Sequence, residues 1–214
     1  MDSKRDIFDR IRNALGVAPS ETREADRIND WNSLPRTYRQ QSRLTEAELL
    51  ALFDERIRHY NGTPFYSQSD IKTDIAEILD ERNKRVLMIP YSFPSEWLPD
   101  GFMFIPDEGL SYDQLDSTDG VLTCCTLGIA LTGTVVLRSS LDQGRRAATL
   151  IPDYHLCVLQ RQDIVELVPE AIRRLEPLKG QPLTFFSGPS ATVDIEMTRV
   201  RGVHGPRTLD VLIV

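Results

Sequence analysis

The spacing of apolar residues divides the chain into helical and extended stretches. Ile7, Phe8, Ile11, Ala14 and Leu15 fall on one helical face, behind a start at Ser3-Lys4-Arg5-Asp6 and ahead of a stop at Gly16. Thr45-Glu46-Ala47-Glu48 has the residues of a capping box, and Leu49, Leu52, Phe53, Ile57 and Tyr60 form a stripe up to Gly62. A further helix is predicted from about Ser69 to Arg82, with Ile71, Ile75, Ile78 and Leu79 inward. Short unbroken apolar runs at Arg85–Pro90, Phe102–Ile105, Gly120–Thr123, Thr134–Leu137 and His155–Leu159 read as strands buried on both faces. Helical spacing returns with Ile164, Leu167, Val168, Ala171, Ile172 and Leu175, where Pro169 suits a first helical position. Strands separated by helices predict the α/β class, a mostly parallel sheet flanked by helices with a helical N-terminal extension.

Residues 17–43 break this rhythm. They are polar, carry Pro19 and Pro35 and have few large aliphatics, which predicts an extended or partly disordered arm. Trp31, Leu34 and Tyr38 support the alternative of a packed or partner-binding segment. The expected division is an N-terminal helix and arm over 1–43 and an α/β domain over 44–214. A hydrophobic share of 41% is enough for a core in a domain of that size. The net charge of −7 argues against a nucleic-acid partner, which requires a basic face. No apolar run approaches the roughly 18 residues of a membrane helix, and MDSKRDIFDR lacks a signal-peptide core, so a cytoplasmic protein without membrane attachment is expected. The three cysteines, Cys124, Cys125 and Cys157, form no CxxC pair and are too few for a four-thiolate iron–sulfur cluster. Buried thiols are expected of them.

Candidate chemistry concentrates in Leu183–Val214. An apolar run leads into Ser187-Gly188-Pro189-Ser190, then a segment with helix-start chemistry, then Gly202-Val203-His204-Gly205-Pro206-Arg207 and a last strand. Ser190 as a helix N-cap, with Ser187, Gly188 and Thr192 around it, would offer backbone N–H groups to an anion. Asp194 and Glu196 stand two apart and so point to different helix faces. Glu196 and His204 are the acid–base candidates; His204 is the better, although it serves equally as a histidine tying the loop together. Gly205 and Arg207 complete this set. Upstream, Thr132-Gly133-Thr134 reads either as an anion-accepting loop or as a strand start with a bulge. Arg145 and Arg146 suit carboxylate or phosphate, or surface ion pairs. His155 reads as a core histidine rather than a ligand. GxSxG, Walker and GxGxxG patterns are absent, and no metal-ligand set stands out.

The text SGPSATVDIEMTRVRGVHGPRTLDVLIV closely resembles the C-terminal signature of the lactate-utilisation protein C family, built on the LUD domain. GIALTGTVVL and GRRAATLIPDYHLCVL resemble that family's central segment, and the helix with Leu52-Phe53 and Glu55-Arg56 also fits. The likeness runs from about residue 44 onward. It implies a NagB/RpiA/CoA-transferase-like α/β fold and a part in oxidising L-lactate to pyruvate beside iron–sulfur proteins. No cofactor is then expected in this chain, the clusters residing in partner subunits. Relatives commonly have Glu before Thr-Gly-Thr where this chain has Leu131, so any role of that glutamate is not carried over. The leading expectation is an accessory or organic-anion-binding subunit using Ser190, Arg145, Arg146 and His204. The alternatives are a stand-alone enzyme acting on a phosphorylated or CoA-linked metabolite, and an interaction module working through the arm.

Overall fold

The computed structural model describes residues 3–16, 24–192, 200–201 and 205–214. They fall in two units, residues 1–39 and 40–214. In the first unit, α1 (Ser3–Leu15) keeps its apolar stripe of Ile7, Phe8, Ile11 and Leu15 exposed. The expected extended arm is corrected by α2 (Glu24–Ser33). No Gly or Pro interrupts residues 20–34, so nothing there opposes a helix despite the scarcity of aliphatics. Arg36 closes its end, donating from Nη2 to the Trp31 carbonyl at 3.0 Å with its guanidinium 5.4 Å from the Trp31 ring centre.

The second unit opens with residues 40–43, which pack onto it through Ser42. Its Oγ donates to Glu166 Oε2 at 2.9 Å and its N–H to Glu170 Oε1 at 2.7 Å. α3 (Glu46–His59) starts at the expected capping box: Glu48 N–H donates to Thr45 Oγ1 at 3.4 Å, and Thr45 N–H to Glu48 Oε2 at 2.8 Å. It is followed by β1 (Thr63–Tyr66), α4 (Ile71–Glu81), β2 (Val86–Ile89), β3 (Met103–Pro106), α5 (Tyr112–Asp116) and β4 (Gly120–Cys124). Next come β5 (Leu127–Ile129), β6 (Thr134–Arg138), α6 (Arg146–Leu150), β7 (Tyr154–Leu159), β8 (Ile164–Val165) and α7 (Val168–Leu175). The chain ends with β9 (Leu183–Phe186), β10 (Ala191–Thr192), β11 (Val200–Arg201) and β12 (Thr208–Ile213).

A six-stranded parallel sheet in the order β1-β12-β7-β4-β2-β3 forms the centre. One face packs on α4, where Ile75, Ile78 and Leu79 meet Leu87, Ile89, Leu122 and Leu156. The other face packs on α3 and a second sheet, where Phe53, Ile57, Val135 and Phe186 meet Cys157, Leu159, Val211 and Ile213. That second sheet, in the order β8-β5-β6-β9, is mixed: β8 runs parallel to β5, while β6 is antiparallel to both neighbours. Its far side is covered by Ala171 and Leu175 of α7.

Three expectations need correction. The apolar run at Thr134–Leu137 lies in the mixed sheet rather than the parallel one; burial on both faces produces the same pattern in either. Ile164 belongs to β8, and the helix begins only at Val168, with Pro169 as its second residue rather than its first. Ala191–Thr192 are extended and pair antiparallel with Val200–Arg201, so no helix starts at Ser190.

One buried ion pair ties the parallel sheet to its helix layer. Asp210 of β12 is fully buried and accepts from Arg82 Nε at 2.7 Å and Nη2 at 3.1 Å, and from the Tyr154 hydroxyl at 2.9 Å. Arg82 is the C-cap of α4, so this fork holds the end of that helix against the centre of the sheet.

Candidate functional site

The chain runs from β2 outward to β3 at the sheet edge, then returns to place β4 on the other side of β2. That reversal opens a crevice outside the carboxyl ends of the strands, where open α/β sheets take ligands. A cleft of about 430 Å³ lies at these ends, lined by Pro90 and Tyr91 after β2 and by Asp107 after β3. Ser139, Ser140 and Leu141 after β6, with Gly144 and Arg145 ahead of α6, complete the lining.

Arg145 is held in one position. Its Nε donates to Asp107 Oδ2 at 2.8 Å and its Nη2 to Asp107 Oδ1 at 3.1 Å, with a further bond from Nη2 to the Leu110 carbonyl. Asp107 Oδ1 also accepts from the N–H groups of Gly109 at 3.2 Å and Leu110 at 3.1 Å. Burial pushes the Asp107 carboxyl up, but Arg145 and the Leu110 N–H outweigh it and hold the group below the usual carboxylate range. The hydrogen bonds to Asp107 raise the Arg145 guanidinium in turn. The result is a permanently charged pair whose carboxylate is enclosed, its side chain 4% exposed against 39% for Arg145. Arg146, the first residue of α6, is exposed.

Other predicted residues gather where β6, β9 and α3 meet. The Thr134 and Ser187 hydroxyls are 2.6 Å apart and those of Thr132 and Thr134 are 2.7 Å apart, so three predicted residues form one hydroxyl chain. The two glycines here serve packing. Gly133 has φ +56, and a Cβ on it would stand 2.6 Å from the Arg56 carbonyl carbon; one on Gly188, at φ +92, would stand 2.4 Å from the Tyr60 oxygen. Both positions therefore let the loops approach the backbone of α3.

The third group lies at the amino ends of β7 and β12, opposite the cleft's end of the sheet. Ser190 N–H donates to the Pro206 carbonyl at 2.8 Å, and a Cβ on Gly205 would be 3.3 Å from Ser190 Cβ. Arg207 faces Asp153 at 3.4 Å with both side chains mostly exposed. Leu150, the last residue of α6, reaches Gly205, so α6 runs between this group and the cleft. Thr192 is placed by its backbone in β10, while Asp194, Glu196 and His204 lie outside the described residues.

The core histidine is more extreme than sequence implied. His155 is fully buried in β7, with Nε2 2.8 Å from Thr123 Oγ1 and Nδ1 without a partner. Burial lowers its pKa to about 3, so the ring is neutral. Burial likewise pushes the Cys124 thiol up to about 12. Cys125 packs into the layer between the sheets and Cys124 into the α4 layer, so the adjacent thiols diverge. Among the described residues no group of three or more His, Cys, Asp or Glu is arranged to hold a metal ion.

Sequence reading missed Asp107, Tyr91 and Ser139. Each directly follows or lies just beyond a strand end, and Asp107-Glu108-Gly109 has the Asp-x-Gly form of a turn; that was the available signal.

A central parallel sheet, an antiparallel-containing second sheet and a cleft at the strand carboxyl ends define the α/β class. The chain belongs to the LUD-domain family, whose model matches residues 106–214. It is 43% identical over 175 residues to "Lactate utilization protein C" of Deinococcus radiodurans, covering 80% of this chain and 82% of that one. The protein of the same name in Bacillus subtilis is 28% identical over 173 residues, 76% of this chain and 68% of that one. A crystal structure of a DUF162-family protein from Deinococcus radiodurans superposes with a TM-score of 0.69 at 37% identity, covering 80% of this chain and 99% of that one.

Proposed function

We propose that this protein is a cytoplasmic component of a bacterial-type L-lactate utilisation system, in which lactate is oxidised to pyruvate. Within it the chain acts as an accessory, organic-anion-binding subunit, and iron–sulfur partner proteins carry the clusters. The observation that carries this reading is the 43% identity, over 80% of the chain, to a protein named for lactate utilisation. The cysteines agree with the division of labour, since three thiols, two of them pointing into different layers, do not make a four-thiolate site.

The test has two independent arms. Deleting the gene in its host abolishes growth on L-lactate as carbon source while growth on pyruvate continues; equal growth on both would refute the lactate role. Affinity-tagged full-length protein recovers partners with the visible absorbance and iron content of iron–sulfur clusters. Recovery of the chain alone under anaerobic conditions would refute the partnership and leave the lactate role standing.

A further inference from the structure

The cleft at the carboxyl ends of β2 and β3 has room for something larger than lactate. At about 430 Å³ it falls in the range of pockets that enclose drug-sized ligands, whereas lactate has six non-hydrogen atoms. Its chemistry is divided. Arg145 offers a guanidinium whose Nε and Nη2 are engaged by Asp107 and Leu110, leaving the Nη1 edge unused by them. The Asp107 carboxylate accepts two guanidinium and two backbone N–H donors, so its acceptors are taken up within the pair while Nη1 of Arg145 remains a charged donor. Ser139 adds a hydroxyl to the lining. The lining also includes the apolar Pro90, Tyr91 and Leu141, of which Tyr91 and Leu141 are 61% and 69% exposed.

We infer that this cleft binds an amphipathic organic acid: a carboxylate met by Arg145 and Ser139, joined to a flat or aliphatic body that covers Pro90, Tyr91 and Leu141. Binding energy then divides between a charge-assisted hydrogen bond at the head and apolar burial along the body. A small hydroxy acid satisfies only the first. This site is independent of the lactate reading, because the cleft's chemistry stands whether or not lactate is bound elsewhere on the chain.

Calorimetric titration of the full-length protein with 2-naphthoate, neutral 2-naphthamide and L-lactate tests it. Naphthoate binds roughly tenfold or more tightly than either comparator, the share of one charge-assisted hydrogen bond or of the apolar body. Arg145→Met brings naphthoate down to the naphthamide level. Since that change strips Asp107 of its partner, Leu141→Glu on the exposed rim is the second variant: it weakens naphthoate roughly tenfold with an unchanged melting curve. Absent naphthoate binding, equal binding of naphthoate and naphthamide, or a naphthoate preference that survives both variants overturns the inference. So does L-lactate matching naphthoate in an Arg145-dependent manner, which would make the cleft a small-acid site.

Discussion

Lowering the pH from 7 to 5 should cost this protein stability through a single residue, His155. The ring sits in the middle of the parallel sheet with Thr123 Oγ1 at Nε2, nothing at Nδ1 and the Phe186 ring edge-on at 5.6 Å. No carboxylate is bonded to it, so burial alone acts on its titration and lowers the pKa to about 3. The unfolded chain binds the proton with a pKa near 6.5. A depressed folded value means that the stability is fully present above about 6.5 and is lost as the pH falls from there toward 3. At pH 5 the unfolded state gains about one and a half pH units of protonation, worth about 2 kcal/mol. Urea unfolding followed by circular dichroism at pH 7 and pH 5 measures this in the wild type and in His155→Gln. Carboxylates and the remaining histidines are common to both proteins, so the difference between their two pH dependences isolates the ring. The wild type should lose about 2 kcal/mol more than the variant between these pH values. Equal losses in the two proteins would refute the assignment of a neutral, desolvated imidazole.

Two further outcomes follow from the packing. Asp210→Ala leaves Arg82 and Tyr154 without their shared acceptor and should destabilise by about 3–5 kcal/mol, the cost of breaking a buried pair; a loss under 1 kcal/mol by urea unfolding would show the pair to be effectively solvated. Gly133→Ala forces a methyl group into the backbone of α3 at a residue with positive φ, and should lower stability by roughly 1–3 kcal/mol with a broadened thermal transition. An unchanged melting temperature would mean that α3 does not approach the loop as closely as the structure has it.

Much of this was legible along the chain. The α3 capping box needs only Thr45 and Glu48 three residues apart, and α4 only its stripe of isoleucines and leucine, because helix chemistry is local. The arm was misread because propensity and polarity disagree there, and α2 forms with Ile28 as its one large aliphatic residue. The candidate site was half visible. Arg145 stood out as a guanidinium in a loop, but its partner Asp107 is 38 residues away, and no local pattern links them.

The sequence by itself determined α1, α3, α4 and the buried strands up to β7, the α/β class and the family signature, since period, caps and turn residues act within a few positions. Sheet membership was decided only by the tertiary structure. Leu183–Phe186 and Thr208–Ile213 are both short apolar runs flanking one signature, yet β9 edges the mixed sheet while β12 lies inside the parallel one. Backbone pairing is blind to sequence distance and is selected by which faces bury best together. The same selection put the cleft at one end of the strands and Ser190 and Gly205 at the other. It also enclosed His155 without a counter-charge and set Asp107 against Arg145, because these depend on neighbours that only the folded chain brings within reach.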